Sequence, residues 1–478
     1  MEYTWRWFGK NDKITLPMLR QIGVEGIVTA LHDVPLGEVW TQEKIRDLRL
    51  FIEQHGLRWS VVESLPVTET IKYGGPDRDE QISRYKESLR NLAAEGIRTV
   101  CYNFMPVLDW ARTDLLHLNA DGTSNLFFSY AEFAYFDIYI LKRPGAREEW
   151  ASFRIPGMDI ERDIVAEADA IYSRCEGAEV RGYENTDKSR CEVRGTWYEN
   201  TDKSRCEVRG TWYENTDGTS EHISHLVPRT TYLEKPSYLN DYNHRLVENI
   251  IVKTQGFVSG NIREDDEHPL ELFRQLLALY QGVTKEQLRE NMRYFLEQVM
   301  PVCDECDIDL CVHPDDPPFA VLGLPRIVNS SDDIDWLLSA VDNPHNGLTF
   351  CAGSLSAGAH NDVVAMARRY AARTHFVHLR SCEILPNGDF TEAPHLGGRA
   401  DVVELARIFL DEERRRATFN TYHPSPITQI PMRVDHGKTM LGDEERGYNA
   451  GYSFLGRMYA LAQIQGVVAT LKKSDDKK

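Results

Sequence analysis

The sequence holds no apolar run near the ~18 residues that a membrane-spanning helix needs, so no span is expected. Its first residues, Met1-Glu2-Tyr3-Thr4-Trp5-Arg6-Trp7, lack the basic and apolar regions of a secretory signal. Basic residues are outnumbered: 55 Lys and Arg face 74 Asp and Glu, a formal charge of −19. Nucleic acids and anionic membranes demand clustered cations, so neither is expected as a partner. An anionic small molecule stays compatible, because it needs only a local metal ion or a few arginines. Cysteines are few for the length, nine in 478 residues, and odd in number. They make no disulfide framework, and a reducing cytoplasm is the expected compartment. The chain also lacks a Walker loop, a nucleophile elbow and a zincin helix. No Gly-rich turn follows its first apolar run, which disfavours an open dinucleotide-binding sheet.

What is present is a soluble, globular composition, 42% apolar and 27% charged. Eight short β-branched or aromatic runs stand out, at 4–8, 26–31, 57–63, 97–104, 308–313, 348–351, 375–378 and 430–436. Helical patterns lie between them, as at 41–54 and 78–94. Thr284 followed by Gln287 predicts a capping box that opens a helix running through Cys303. Alternating strand and helix predicts a parallel sheet with helices outside, and eight strands is the barrel number. The expected fold is therefore an α/β (β/α)₈ TIM barrel spanning 1–478 as one domain, with a long insertion between strands 4 and 5.

That insertion contains an internal repeat. Residues 189–203 read SRCEVRGTWYENTDK, residues 204–217 repeat the first fourteen, and 173–188 is a diverged copy. The unit is short and poor in apolar residues, unlike a solenoid repeat. It predicts a duplicated surface loop within 173–240. One cysteine per unit (Cys175, Cys191, Cys206), without a nearby His, is poor metal-ligand spacing. A chain lacking 189–203 is expected to keep its turnover; a large gain or loss in a steady-state assay would show that the loop matters.

The last four apolar runs end alike. Ile308–Val312 leads into His313, Leu348–Phe350 into Cys351, His375–Val377 into His378, and 430–434 into Asp435 and His436. In a barrel these C-terminal ends converge on one mouth. Singly, each has a plainer explanation: a satisfied polar histidine, a small buried thiol, a turn-capping aspartate. Four at one topological point predict a single divalent metal site. Mixed N, S and O ligation suits Mn²⁺, Fe²⁺, Co²⁺ or Zn²⁺ better than Mg²⁺ or Ca²⁺. Cys303-x-x-Cys306 lies in a helical pattern without a second cysteine pair, so no structural zinc is expected there. Asp315 and Asp316, flanked by prolines, predict a rigid loop with solvated acids, and 411–416 predicts an exposed helix face.

At these residues the chain resembles the mannonate dehydratase family. The opening Thr4-Trp5-Arg6-Trp7-Phe8-Gly9 carries the likeness, as do 28–32, 59–64 and Thr99-Val100-Cys101-Tyr102-Asn103-Phe104-Met105-Pro106-Val107-Leu108-Asp109-Trp110. So do His313-Pro314-Asp315-Asp316-Pro317-Pro318, His378-Leu379-Arg380-Ser381, Met432-Arg433, Asp435-His436-Gly437, Gly451-Tyr452-Ser453 and Gly456-Arg457. The likeness covers about 2–160 and 245–470 and leaves the repeat out.

The resemblance implies a xylose-isomerase-like metal-dependent barrel that converts D-mannonate to 2-dehydro-3-deoxy-D-gluconate and water in hexuronate breakdown, using Mn²⁺ or Fe²⁺. It puts the metal on His313, Cys351, His378 and Asp435. It implies acid/base roles for His436 and Tyr452, and substrate contacts for Arg380, His395, Asp109 and Arg112. A cytoplasmic homo-oligomer, a dimer, acting on a small sugar acid is expected. Tyr448, Tyr452 and Tyr459 also sit near helical spacing, which alone would make any of them a core residue. Three alternatives stand beside this reading: a metal-dependent sugar isomerase or epimerase, a dehydratase of another aldonate, and an inactive relative that binds a sugar acid.

Overall fold

The computed structural model describes residues 1–181, 191–193, 196–202, 205–207, 241–254, 261–263, 265–419 and 429–475. Eight parallel strands close a barrel: β1 (Glu2–Arg6), β2 (Gly26–Thr29), β3 (Arg58–Glu63), β4 (Thr99–Tyr102), β5 (Asp309–Val312), β6 (Asn346–Cys351), β7 (Thr374–His378) and β8 (Pro431–Arg433). Each neighbours the next in the ring, and β8 returns to β1. All eight expected strands are present, trimmed or shifted by a few residues where the chain turns at the mouth.

The helices form where the apolar period and the caps agree. Gln42–Gln54 opens on Thr41, whose side chain accepts from Lys44 N, and buries Ile45, Leu48 and Ile52 on one face. Lys285–Cys306 opens on Thr284, whose Oγ1 accepts from Gln287 N at 3.2 Å. It buries Leu288, Met292, Phe295, Leu296, Val299 and Cys303, so Cys303-x-x-Cys306 is a helix end packed on the barrel. The main core lies between strands and helices; Val28, Val61, Cys101, Cys311 and Phe376 form a small cluster of their own. Among the described residues no helix is long and apolar enough to cross a membrane.

The connection after β4 builds a second core rather than a plain loop. Its strands Asp114–Leu118 and Ser124–Phe128 join Phe390–Glu392 and Cys382–Ile384, from the connection after β7, in one antiparallel sheet. Phe128 stacks on Phe390 with centroids 5.0 Å apart, and Tyr130 stacks on Phe319 at 5.2 Å. Such contacts add to area burial. The repeat is described in part. Its first copy runs into the helix Ile164–Arg181, while Cys191–Val193, Thr196–Asp202 and Arg205–Glu207 pair as three antiparallel strands. The described part of the later copies is strand; residues 182–190, 194–195, 203–204 and 208–240 lie outside the described residues.

Candidate metal centre and active site

His313 follows β5 directly, Cys351 and His378 close β6 and β7, and Asp435 lies two residues beyond β8. Strand register sets Cys351 opposite His378. Ligand atoms of His313, Cys351 and His378 all lie within 4.8 Å of one another. Cys351 Sγ and His378 Nδ1 each lie 3.7 Å from Asp435 Oδ2. Metal–ligand distances of about 2.0–2.3 Å put neighbouring donors roughly 3.5 Å apart around one tetrahedral ion. His378 Nδ1 is buried without a hydrogen-bond partner among the described residues. Because Nε2 of the same ring accepts from Arg433, Nδ1 carries the ring proton here, and a metal ion bound at Nδ1 would displace it. His313 Nδ1 lies 2.7 Å from the Pro314 carbonyl, which places its proton there and leaves the Nε2 lone pair as a donor. Ser354 Oγ donates to Cys351 Sγ at 3.2 Å. The donor set fits a divalent cation.

Buried charge holds these groups in place. Arg433 donates from Nε to His378 Nε2 at 3.0 Å and from Nη2 to Glu63 at 2.7 Å, and it pairs with Asp435. Arg380 pairs with Asp435 too, with Glu392 at 2.9 Å and with Asp316 at 2.6 Å. Arg112 bonds Asp316 at 2.6 Å and Glu392 at 3.1 Å. Burial alone would raise the carboxyl pKa values. Arg433, His436 and Arg380 overcome that at Asp435 and hold it well below the usual range. At Glu392, Arg380, His436 and Arg112 win against burial and bring it to about 2. Asp435 has φ +62°, a conformation Asp adopts more readily than most residues, and its carboxylate lies within reach of Cys351 and His378. Gly353 allows a close approach: a Cβ there would overlap the Arg380 side chain.

Asp315 and Asp316 correct the expectation of solvated acids. They are 2% and 1% exposed, because their loop turns inward and Asp316 is claimed by two arginines. Glu412 likewise is buried against Arg415 and Arg416, so 411–416 is only partly an exposed face.

A pocket of ≈ 500 Å³ opens over the donors, lined among others by His313, Asp435, His436, Tyr452, Asp109 and Arg380. His436 Nδ1 lies 3.1 Å from Glu392 Oε1, and its ring packs on Trp110 at 5.1 Å and edge-on to Tyr452 at 5.3 Å. Tyr452 precedes the helix Phe454–Asp475 and is buried, while Tyr459 is 58% exposed. Helical spacing therefore does not explain Tyr452. Burial pushes its phenol up to about 12. Gly451, at φ +78°, lets the turn pass His436; a Cβ would stand 3.1 Å from the imidazole Cδ2.

The structure brings most of the expected residues together and separates their tasks. Arg380 reaches the pocket wall, but its N–H groups are taken by three carboxylates and Ser354. Arg112 is fully buried on Asp316 and Glu392. His395 Nε2 contacts the Val434 carbonyl at 2.8 Å, next to Asp435. Asp109 lines the pocket, its pKa raised by burial. Sequence reasoning did not single out Glu63, Arg433, Glu392 or Arg6 as site residues. Arg6, Glu63 and Arg433 sit inside the strings that carry the resemblance. Glu392 lies in a three-residue strand with no pattern to mark it.

Glu392 also gives a stability prediction. Its folded pKa is depressed from an ordinary value of ~4.3, so its contribution is complete above that value and is lost as pH falls toward about 2. The Tm difference between the unmodified protein and Glu392→Gln should be wide at pH 7 and close between pH ~4.3 and 2. A difference that stays constant over this range would contradict the pairing.

Comparison with known proteins places this chain in a family. The profile of the family described as D-mannonate dehydratase (UxuA) matches residues 1–478. A mannonate dehydratase of Marinomonas sp. (strain MWYL1) is 40% identical, over 99% of this chain and 100% of that protein. One from Chromohalobacter salexigens is 38% identical over 99% of each. The crystal structure of mannonate dehydratase from Streptococcus suis serotype 2 superposes with a TM-score of 0.64 at 26% identity, covering 99% of this chain and 96% of that one. With agreement along its whole length, the chain belongs to the mannonate dehydratase family.

Proposed function

We propose that the protein removes water from D-mannonate to give 2-dehydro-3-deoxy-D-gluconate, in hexuronate breakdown, with Mn²⁺ or Fe²⁺ held by His313, Cys351, His378 and Asp435. The observation that carries the reading is one pocket that joins a buried donor cluster to His436 and Tyr452. A divalent ion at those donors would offset the charge that grows on the carboxylate and 2-hydroxyl as the C2 proton leaves.

The protein's own groups supply the proton transfers. Glu392 accepts the Nδ1 proton of His436, which leaves a lone pair on Nε2 toward the pocket. His436 is therefore the base for the C2 proton. The Tyr452 phenol, with its pKa raised, is protonated at neutral pH, and it donates to the departing C3 hydroxyl. The enol formed as C2–H and C3–O break takes a proton at C3 and becomes the 2-oxo acid. Trp110 and the buried ion pairs keep bulk water from the His436 ring.

Incubation with D-mannonate should give a 2-oxo-3-deoxy acid and one equivalent of water. Aldose–ketose interconversion without water loss would instead show a sugar isomerase. Binding without turnover in metal-loaded protein would show an inactive relative.

A further inference from the structure

The arginines around the pocket are mostly accounted for. Arg380 and Arg433 bond carboxylates, Arg112 bonds Asp316 and Glu392, and Arg457 bonds the carbonyls of Ser453, Tyr452 and Arg6. The Arg6 side chain differs. It closes β1, is 4% exposed and lines the pocket. Its Nη1 is buried with no hydrogen-bond partner among the described residues, as is Arg112 Nε, but unlike Arg112 it makes no ion pair with a carboxylate among them. Its guanidinium lies over Phe8, 5.1 Å from the ring centroid, and Phe8 meets Tyr452 edge-on at 5.0 Å. Burial lowers the Arg6 pKa, and Glu63, which opposes that, makes its ion pair with Arg433. β1 hydrogen-bonds to β8, so Arg6 stands beside the strand that delivers Asp435.

A buried guanidinium nitrogen without a hydrogen-bond partner is costly, and folded proteins seldom keep one for stability's sake. We infer that Arg6 is the carboxylate anchor of the site, its guanidinium taking the carboxylate of the aldonate substrate. The inference rests on the proposed action on a sugar acid. A carboxylate offers about four lone-pair sites, so one guanidinium can hold it and leave an oxygen for a second cation. Charge grows on that carboxylate as the C2 proton leaves, so the contact strengthens toward the transition state.

The test uses metal-loaded His436→Asn protein as parent, which should bind D-mannonate and turn it over about 10²–10⁴-fold more slowly. Calorimetry is run with D-mannonate, and with D-mannitol as a ligand without the carboxylate, on the parent and on Arg6→Met and Arg6→Lys in that background. Mannonate binding should weaken roughly 10–100-fold in Arg6→Met, the loss expected for a charged hydrogen bond, with Arg6→Lys between. Mannitol binding should not change, and the Tm of Arg6→Met should equal or exceed the parent's, because an unpaired buried charge is gone. Unchanged mannonate affinity would overturn the inference. So would equal weakening of mannonate and mannitol, or a lowered Tm with both affinities reduced, which would mark a structural residue. If mannitol does not bind the parent, the mannonate and Tm results decide. Failure of both the parent and the unmodified metal-loaded protein to bind or turn over mannonate would instead refute the substrate reading itself.

Discussion

Cys351→Ser is expected to leave the barrel folded, empty the cation site and lower turnover on the order of 10³-fold, equivalent to about 4 kcal/mol of transition-state stabilisation. The thiol is completely buried, and its sulfur sits among the His313, His378 and Asp435 donors. A serine hydroxyl is nearly isosteric but stays protonated at neutral pH and reaches less far, so it offers a poor fourth donor. Buried ion pairs that hold Asp435 and His378 do not involve the thiol, so folding should survive. Elemental analysis of purified protein, alongside kcat, checks this. Full metal content with unchanged turnover would contradict the assignment of Cys351 as a ligand.

His436→Asn should lower kcat about 10²–10⁴-fold, the usual contribution of a positioned acid or base, while metal content stays intact. Tyr452→Phe should fall in the same range. The two are separated by exchange at C2. Tyr452→Phe retains the base, so it should still wash solvent deuterium into the C2 position of mannonate. His436→Asn should lose that exchange. The reverse pattern would exchange the two roles, and exchange retained in both variants would place the base elsewhere. The assignment follows from local geometry: Glu392 fixes the His436 proton on Nδ1, and burial keeps the Tyr452 phenol protonated.

Much of the architecture was legible in residue pattern. The barrel strands are short β-branched runs, and their C-terminal ends carry the donors because the last residue of a barrel strand faces the mouth. His313, Cys351, His378 and Asp435 could be picked out by topology, with no distances known. The supporting shell could not. Glu392 belongs to a strand of three residues, and it reaches His436 only because the connections after β4 and β7 pair in one sheet. Asp316 reads as a loop acid between prolines; only the fold shows it between Arg112 and Arg380. The same shell explains why an arginine in a promising string is a poor guide to substrate contact. Arg380 and Arg112 are held by carboxylates, whereas Arg6, which no pattern distinguishes from them, makes no carboxylate ion pair among the described residues.

The most direct test of the account is D-mannonate turnover by protein stripped of metal and then supplied with Mn²⁺. The account predicts no 2-oxo-3-deoxy acid from the stripped protein and recovery of product on adding the ion, with Cys351→Ser failing to recover. Undiminished turnover by fully stripped protein would contradict it.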